Sequence, residues 1–142
     1  KVVFNHMLLL FLLVVMQIIY GAFVAGLKAG KIYNTWPKMG KQWIPESVFL
    51  DPGAEAQFIH RTLALIIVAF TFYIWQKGKK INLSKLQSQS LNVLPIIVSL
   101  QTVLGVLTLI LIVPISLALT HQFIAFLLLM SVVFCLFVFK KS

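Results

Sequence analysis

The sequence predicts an all-α membrane protein, a four-transmembrane-helix bundle with an internal two-fold pseudo-repeat of helix pairs. Hydrophobic residues make up 61% of the chain and charged residues 11%, whereas an average globular protein is roughly 45–50% apolar. A spanning helix needs about 20 apolar residues, so 142 residues leave room for four spans and their loops. This composition excludes a disordered chain, a coiled coil, a collagen and a soluble enzyme with a polar shell.

Four long apolar runs define the predicted spans, and each is nearly free of charge. Pro95 falls in the first turn or so of the third run, where a helix tolerates it. Pro114 ends that run, and the link that follows is short enough to force an antiparallel hairpin. The spans cover about residues 2–26, 58–75, 91–113 and 115–139, leaving an outer loop at 27–57 and an inner loop at 76–90. We treat residues 1–142 as one domain.

The net charge of +9 indicates membrane orientation rather than nucleic-acid binding, because the lysines lie in short clusters between the spans. The side with both termini and the inner loop has seven positive residues and no acidic residue. These are Lys1, Lys77, Lys79, Lys80, Lys85, Lys140 and Lys141. The other side has five positive residues, which are Lys28, Lys31, Lys38, Lys41 and Arg61, and it also has three acidic residues. We therefore predict a multi-pass integral membrane protein with its termini inside, which for a bacterial protein means the plasma (inner) membrane. The predicted partner is the lipid bilayer and not a nucleic acid.

A short pattern occurs twice along the spans. In one span, a glutamine is followed four residues later by a glycine. In the next span, a histidine is followed four residues later by an alanine. The pairs are Gln17/Gly21, His60/Ala64, Gln101/Gly105 and His121/Ala125. Successive helix pairs start on the same side, so a duplication implies a two-fold axis along the membrane normal. We expect the glutamines to act mainly as hydrogen-bonding contacts between helices.

The two repeated histidines are the candidate site. Ionisable residues inside spans usually face the bundle interior, and a two-fold axis makes His60 and His121 face each other. Two histidines are too few for a closed zinc site, but a haem needs only axial ligands. We predict both as metal ligands of a low-spin haem, with Arg61 binding a propionate unless it is an ordinary interfacial arginine. His6, near the opposite end, is predicted to lie outside the pair.

Several segments resemble the haem A synthases of the CtaA type. They are GAFVAGLKAG (residues 21–30), YNTWPKM (33–39), Ile44-Pro45, QFIHR (57–61), the Gln101-x3-Gly105 motif and LTHQ (119–122). That family has eight spans in two four-helix halves, and this chain is similar to the second, C-terminal half. Because it starts at Lys1 within an apolar run, we expect a fragment of such an eight-helix protein.

The resemblance implies an oxidoreductase that converts haem O to haem A, oxidising the C8 methyl group to a formyl group for cytochrome oxidase biogenesis. It implies a haem b in this half, ligated by His60 and His121, which passes electrons. Haem O is then the substrate of the complete enzyme, haem O synthase is a candidate partner, and the electron donor is unassigned. The family's glutamate three residues before its first-half histidine corresponds here to Gln57, so no catalytic residue is assigned.

Other classes of function stay open at this stage. One is a stand-alone membrane cytochrome b that only transfers electrons, with a variant in which two identical copies assemble into an eight-helix enzyme. Another is a cofactor-free transporter or assembly protein in which the histidines are packing or proton-relay groups.

Overall fold

A computed structural model describes residues 2–140 and contains four long α-helices. They are α1 (Val2–Gly26), α2 (Pro52–Gly78), α3 (Lys85–Ile110) and α4 (Ile115–Lys140), with one 3-10 turn at Ala29–Lys31. All four helices are long and apolar enough to cross a membrane, which confirms the predicted all-α fold class. Lys1 and Lys141, which contribute to the predicted charge bias, lie outside the described residues.

Two helices begin earlier than the apolar runs predict. Helix α2 starts at Pro52 rather than at residue 58, because the Asp51 side chain accepts a hydrogen bond from the Ala54 amide and a proline suits the first helical position. Helix α3 starts at Lys85 rather than at residue 91, because Ser84 and Gln87 form a reciprocal capping box. The outer loop is therefore shorter than 27–57, and the inner loop is shorter than 76–90.

The four helices form a closed ring in which each one contacts its neighbours in sequence. The most extensive contacts are within the pairs α1–α2 and α3–α4, and the pairs α2–α3 and α1–α4 complete the ring. This order makes α2 and α4 diagonal partners. It is the arrangement expected for two helix hairpins related by a two-fold axis along the bundle.

The larger cluster of buried side chains lies in one half of the bundle, which we call the inner half because it adjoins the α2–α3 loop. The core is formed by Met7, Leu10, Val14, Ile67, Ile74, Leu91, Leu94, Val98, Leu128, Val132, Cys135 and Phe139. In the other, outer half, no residue of the helix segments 15–26, 58–66, 99–110 and 115–127 is buried. Side chains at that level are all partly or largely exposed.

A folded layer covers the outer end of the bundle, and we call it the outer cap (residues 29–51). Its small core contains Met39 and Val48 together with Ala54 of α2, with Tyr33 and Phe58 packed against them. The outer half of the bundle is therefore enclosed between two packed regions, the inner core and the outer cap.

Candidate histidine site

His60 and His121 lie at similar depths in diagonal helices. His60 comes eight residues after Pro52, where α2 begins, and His121 six residues after Ile115, where α4 begins. At about 1.5 Å of rise per residue, these positions are roughly 12 Å and 9 Å from the outer helix ends. The depths of the two histidines differ more when they are measured from the starts of the predicted apolar runs than from the observed helix starts. The reason is that α2 begins earlier than its apolar run. Both histidines belong to the outer half.

The His60 ring packs against helix α1 at Gln17 and Gly21. Its Nδ1 lies 3.2 Å from the Gln17 backbone oxygen, and its Nε2 lies 3.4 Å from the Gln17 side-chain nitrogen. That nitrogen also donates to the His60 backbone oxygen at 3.0 Å. A Cβ atom added to Gly21 would lie 3.1 Å from the ring carbon Cε1. The glycine thus makes the close approach of the imidazole possible.

The His121 ring packs against helix α3 in the same way. Its Nε2 lies 3.5 Å from the Gln101 side-chain nitrogen, and a Cβ on Gly105 would lie 2.9 Å from its Cε1. The Nδ1 atom of His121 is buried and has no hydrogen-bond partner among the described residues. The two halves of the sequence repeat therefore build two equivalent histidine environments, which differ in the hydrogen bonding of Nδ1.

Both glutamines contribute more to the site than the sequence indicates. Expected as contacts between helices, Gln17 and Gln101 indeed bridge helices, but their partners are the two histidines. Their Oε1 atoms are buried without a hydrogen-bond partner in the described part of the chain. The signal available in the sequence was the glutamine-to-glycine spacing, which puts both residues on one helix face.

Arg61 connects the site to the outer cap. Its Nη2 donates to the backbone oxygens of Thr35, Pro37 and Lys38 at 2.8, 3.0 and 3.2 Å. The guanidinium carbon lies 5.2 Å from the centre of the Trp36 ring. Its other terminal nitrogen, Nη1, is buried and has no partner among residues 2–140.

The remaining residues singled out in the sequence divide between the two ends. His6 lies at the inner end, where its ring contacts Phe70 at 6.0 Å and Tyr73 at 5.7 Å between centroids. Ala64 and Ala125, one turn beyond the histidines, are partly exposed. Within the described residues, no three His, Cys, Asp or Glu side chains come together as a metal site.

These features define a multi-pass helical membrane protein with a repeated histidine environment in its outer half. The model of the COX15-CtaA family, described as cytochrome oxidase assembly protein, matches residues 2–133. The chain belongs to this family.

Several curated relatives are named Heme A synthase. The protein from Flavobacterium johnsoniae is 43% identical over 131 residues, covering 84% of this chain and 38% of the relative. That from Flavobacterium psychrophilum is 41% identical over 140 residues, covering 91% of this chain and 41% of the relative. A Wolbachia protein (Brugia malayi) is 43% identical over 129 residues, covering 84% and 36%.

The chain thus spans about two fifths of the length of these curated relatives. No solved structure matches it. The resemblance to haem A synthases noted in the sequence is confirmed.

Proposed function

We propose that this chain is the haem-binding half of a membrane oxidoreductase that converts haem O to haem A. In this proposal His60 and His121 are the axial ligands of one low-spin haem b, which transfers electrons. Arg61 binds a haem propionate. The observation that carries the proposal is the matched environment of the two histidines, each packed on a glutamine and a glycine of its partner helix.

The geometry across the bundle supports one shared ligand. The histidines extend from diagonal helices at similar depth. They lie in the helix segments 58–66 and 115–127, in which no residue is buried. A four-helix bundle of this kind is a known setting for a haem between facing side chains.

The polar groups at the site fit a haem better than a bare metal ion. A porphyrin supplies four nitrogens, so two imidazoles complete the iron coordination. His60 Nδ1 lies within hydrogen-bonding distance of the Gln17 carbonyl oxygen, and donating its proton there makes Nε2 the nitrogen with the lone pair. That lone pair faces the Gln17 side-chain nitrogen at 3.4 Å, a contact that iron would replace. The unpartnered Arg61 Nη1 suits a carboxylate acceptor at the outer rim.

The bound haem would supply one-electron redox chemistry. The residues of this chain would hold it: His60 and His121 would ligate the iron, and Gly21 and Gly105 allow the imidazoles to lie close to α1 and α3. The outer cap and the inner core restrict access of water from both ends of the bundle.

The wider assignment follows from the relatives named Heme A synthase. In it, the chain is part of an eight-helix protein, haem O is the substrate of the complete enzyme, and haem O synthase is a partner that delivers it. The termini lie inside, in the plasma (inner) membrane of a bacterium. The oxidised C8 methyl group belongs to haem O, and none of this chain's residues is assigned to that step.

A reduced-minus-oxidised spectrum tests the haem assignment directly. We expect the purified chain, in detergent or nanodiscs and supplied with haem b, to show a low-spin six-coordinate spectrum. His60→Ala or His121→Ala should abolish that spectrum, whereas the matched control His6→Ala should keep it. A colourless wild-type protein would contradict the proposal and favour a cofactor-free transporter or assembly protein. A low-spin haem without haem A formation by the complete protein would favour a stand-alone cytochrome b.

A further inference from the structure

A short segment of the outer cap, residues 33–38, is hydrogen bonded to helix α2 on both sides of His60. Gln57 Nε2 donates to the Tyr33 backbone oxygen at 3.0 Å. Arg61 Nη2 donates to the Thr35 backbone oxygen at 2.8 Å and to two further carbonyls of the same segment. Gln57 precedes His60 by three residues and Arg61 follows it directly, so the segment is bonded to the turn of α2 that carries the histidine.

The same segment is also bonded to the outer end of helix α3. The Asn34 Nδ2 atom donates to the Leu109 backbone oxygen at 2.9 Å and to the Gly30 backbone oxygen at 2.7 Å. The Leu109 carbonyl, in the last turn of α3, also accepts from the Ile112 amide at 3.2 Å, and Asn34 adds a hydrogen bond from outside the helix. Leu109 lies four residues after Gly105, on the same helix face, and Gly105 is the residue against which His121 packs.

Packing alone does not determine how far apart the two histidine helices lie at the level of the histidines. No residue of the helix segments 58–66 and 115–127 is buried, and the larger hydrophobic cluster that joins the four helices lies in the inner half. Helices α3 and α4 form the hairpin with the most extensive contacts, so a bond to the end of α3 also restrains α4 and His121.

We propose that residues 33–38 set the separation of the two histidine helices, with Asn34 as the positioning residue toward α3. The segment acts as a brace: Gln57 and Arg61 hold it to the His60 helix, and Asn34 holds it to the His121 hairpin. Its importance for a cofactor rests on the proposed function, since only a shared ligand requires a fixed separation of the histidines. The brace itself is a property of the chain without haem.

The distance between α2 and α4 in the haem-free chain tests the brace independently of any cofactor. Leu65 and Phe123 are exposed, at 51% and 60%, and can be replaced by cysteine for spin labels in a Cys135→Ala background. Pulsed electron-spin resonance in nanodiscs should give one narrow distance distribution for the otherwise unchanged chain. Asn34→Ala should broaden the distribution and shift it to longer distances.

The matched control is Thr35→Val, which removes the hydroxyl bonds within the cap to Lys38 and Gly40. It keeps the Thr35 carbonyl that Arg61 binds, so the narrow distribution should persist. Asn34→Asp provides a second variant of nearly equal size, which loses the donor and should behave like Asn34→Ala. An unchanged distribution in both Asn34 variants, or equal broadening in Thr35→Val, would overturn the proposal.

Haem titration separates the brace from the proposed function. If both hold, the Asn34 variants should bind haem b roughly tenfold more weakly, about the value of one hydrogen bond. They should also show a larger high-spin fraction. If the wild-type chain binds no haem, the proposed function fails, while the distance measurement still decides whether the brace exists.

Discussion

Replacing Gly105 with alanine puts a methyl group directly against the His121 ring. The added Cβ would lie 2.9 Å from Cε1 and 3.5 Å from Nδ1. Ordinary carbon contacts begin at about 3.5 Å, so the ring has to move by roughly 0.6 Å. A metal–nitrogen bond tolerates only about 0.2 Å. The variant is therefore expected to weaken or break the proposed ligation of iron by His121.

The effect on folding should be small, because two contributions oppose each other. Alanine is favoured over glycine in a helix interior by about 1 kcal/mol, whereas overpacking costs about 1–3 kcal/mol. The free energy of unfolding of haem-free Gly105→Ala should thus lie within about 2 kcal/mol of wild type. Haem b affinity should fall at least tenfold, with a shift toward a high-spin spectrum. Absorbance titration and thermal unfolding of the haem-free protein measure the two effects separately.

Two other glycines of the chain provide graded controls. A Cβ on Gly21 would lie 3.1 Å from His60 Cε1, whereas a Cβ on Gly26 would meet nothing within 4 Å. Haem affinity should therefore be unchanged in Gly26→Ala, moderately reduced in Gly21→Ala and most reduced in Gly105→Ala. Wild-type affinity and spectrum in Gly105→Ala would refute the assignment of His121 as an iron ligand beside Gly105.

Two further predictions concern Arg61 and membrane orientation. Arg61→Lys keeps the charge but loses the guanidinium fork, whose Nη2 bonds three cap carbonyls and whose Nη1 is proposed to bind a propionate. Haem affinity should therefore fall several-fold, and limited proteolysis of the cap should accelerate. No change in either measurement would contradict both roles of Arg61. Lys28→Cys should react with an impermeant maleimide on intact cells, whereas Lys79→Cys should react only after permeabilisation, and the reverse pattern would place the termini outside.

The spans could be predicted from the sequence because a bilayer requires long uninterrupted apolar runs. The helix starts could not be predicted from apolarity alone, because polar residues extend α2 and α3 beyond the membrane-like runs. The capping signals are nevertheless present in the sequence, as Asp51 before Pro52 and as Ser84 three residues before Gln87. Reading caps together with hydropathy would have given the observed starts of α2 and α3.

The histidine pair could be predicted because a duplication repeats chemistry at equivalent positions. The contacts that surround it depend on tertiary placement. Asn34 bonds the Leu109 carbonyl across 75 residues of sequence, and no local pattern indicates that partner. The end of α3 is also not indicated by its residue types. Ile112 and Val113 have a left-handed backbone, with φ of 62° and 59°, which β-branched residues rarely adopt. This conformation ends α3 in the short hairpin before Pro114.

The position of the larger buried cluster in the inner half has a consequence for biogenesis. Side chains of this chain alone pack that half, so its folding does not depend on a prosthetic group. Under the proposed function, the four helices would assemble in the bilayer first and haem insertion would be a late step of maturation. The partly exposed side chains of segments 58–66 and 115–127 would then be the surface that a planar ligand covers.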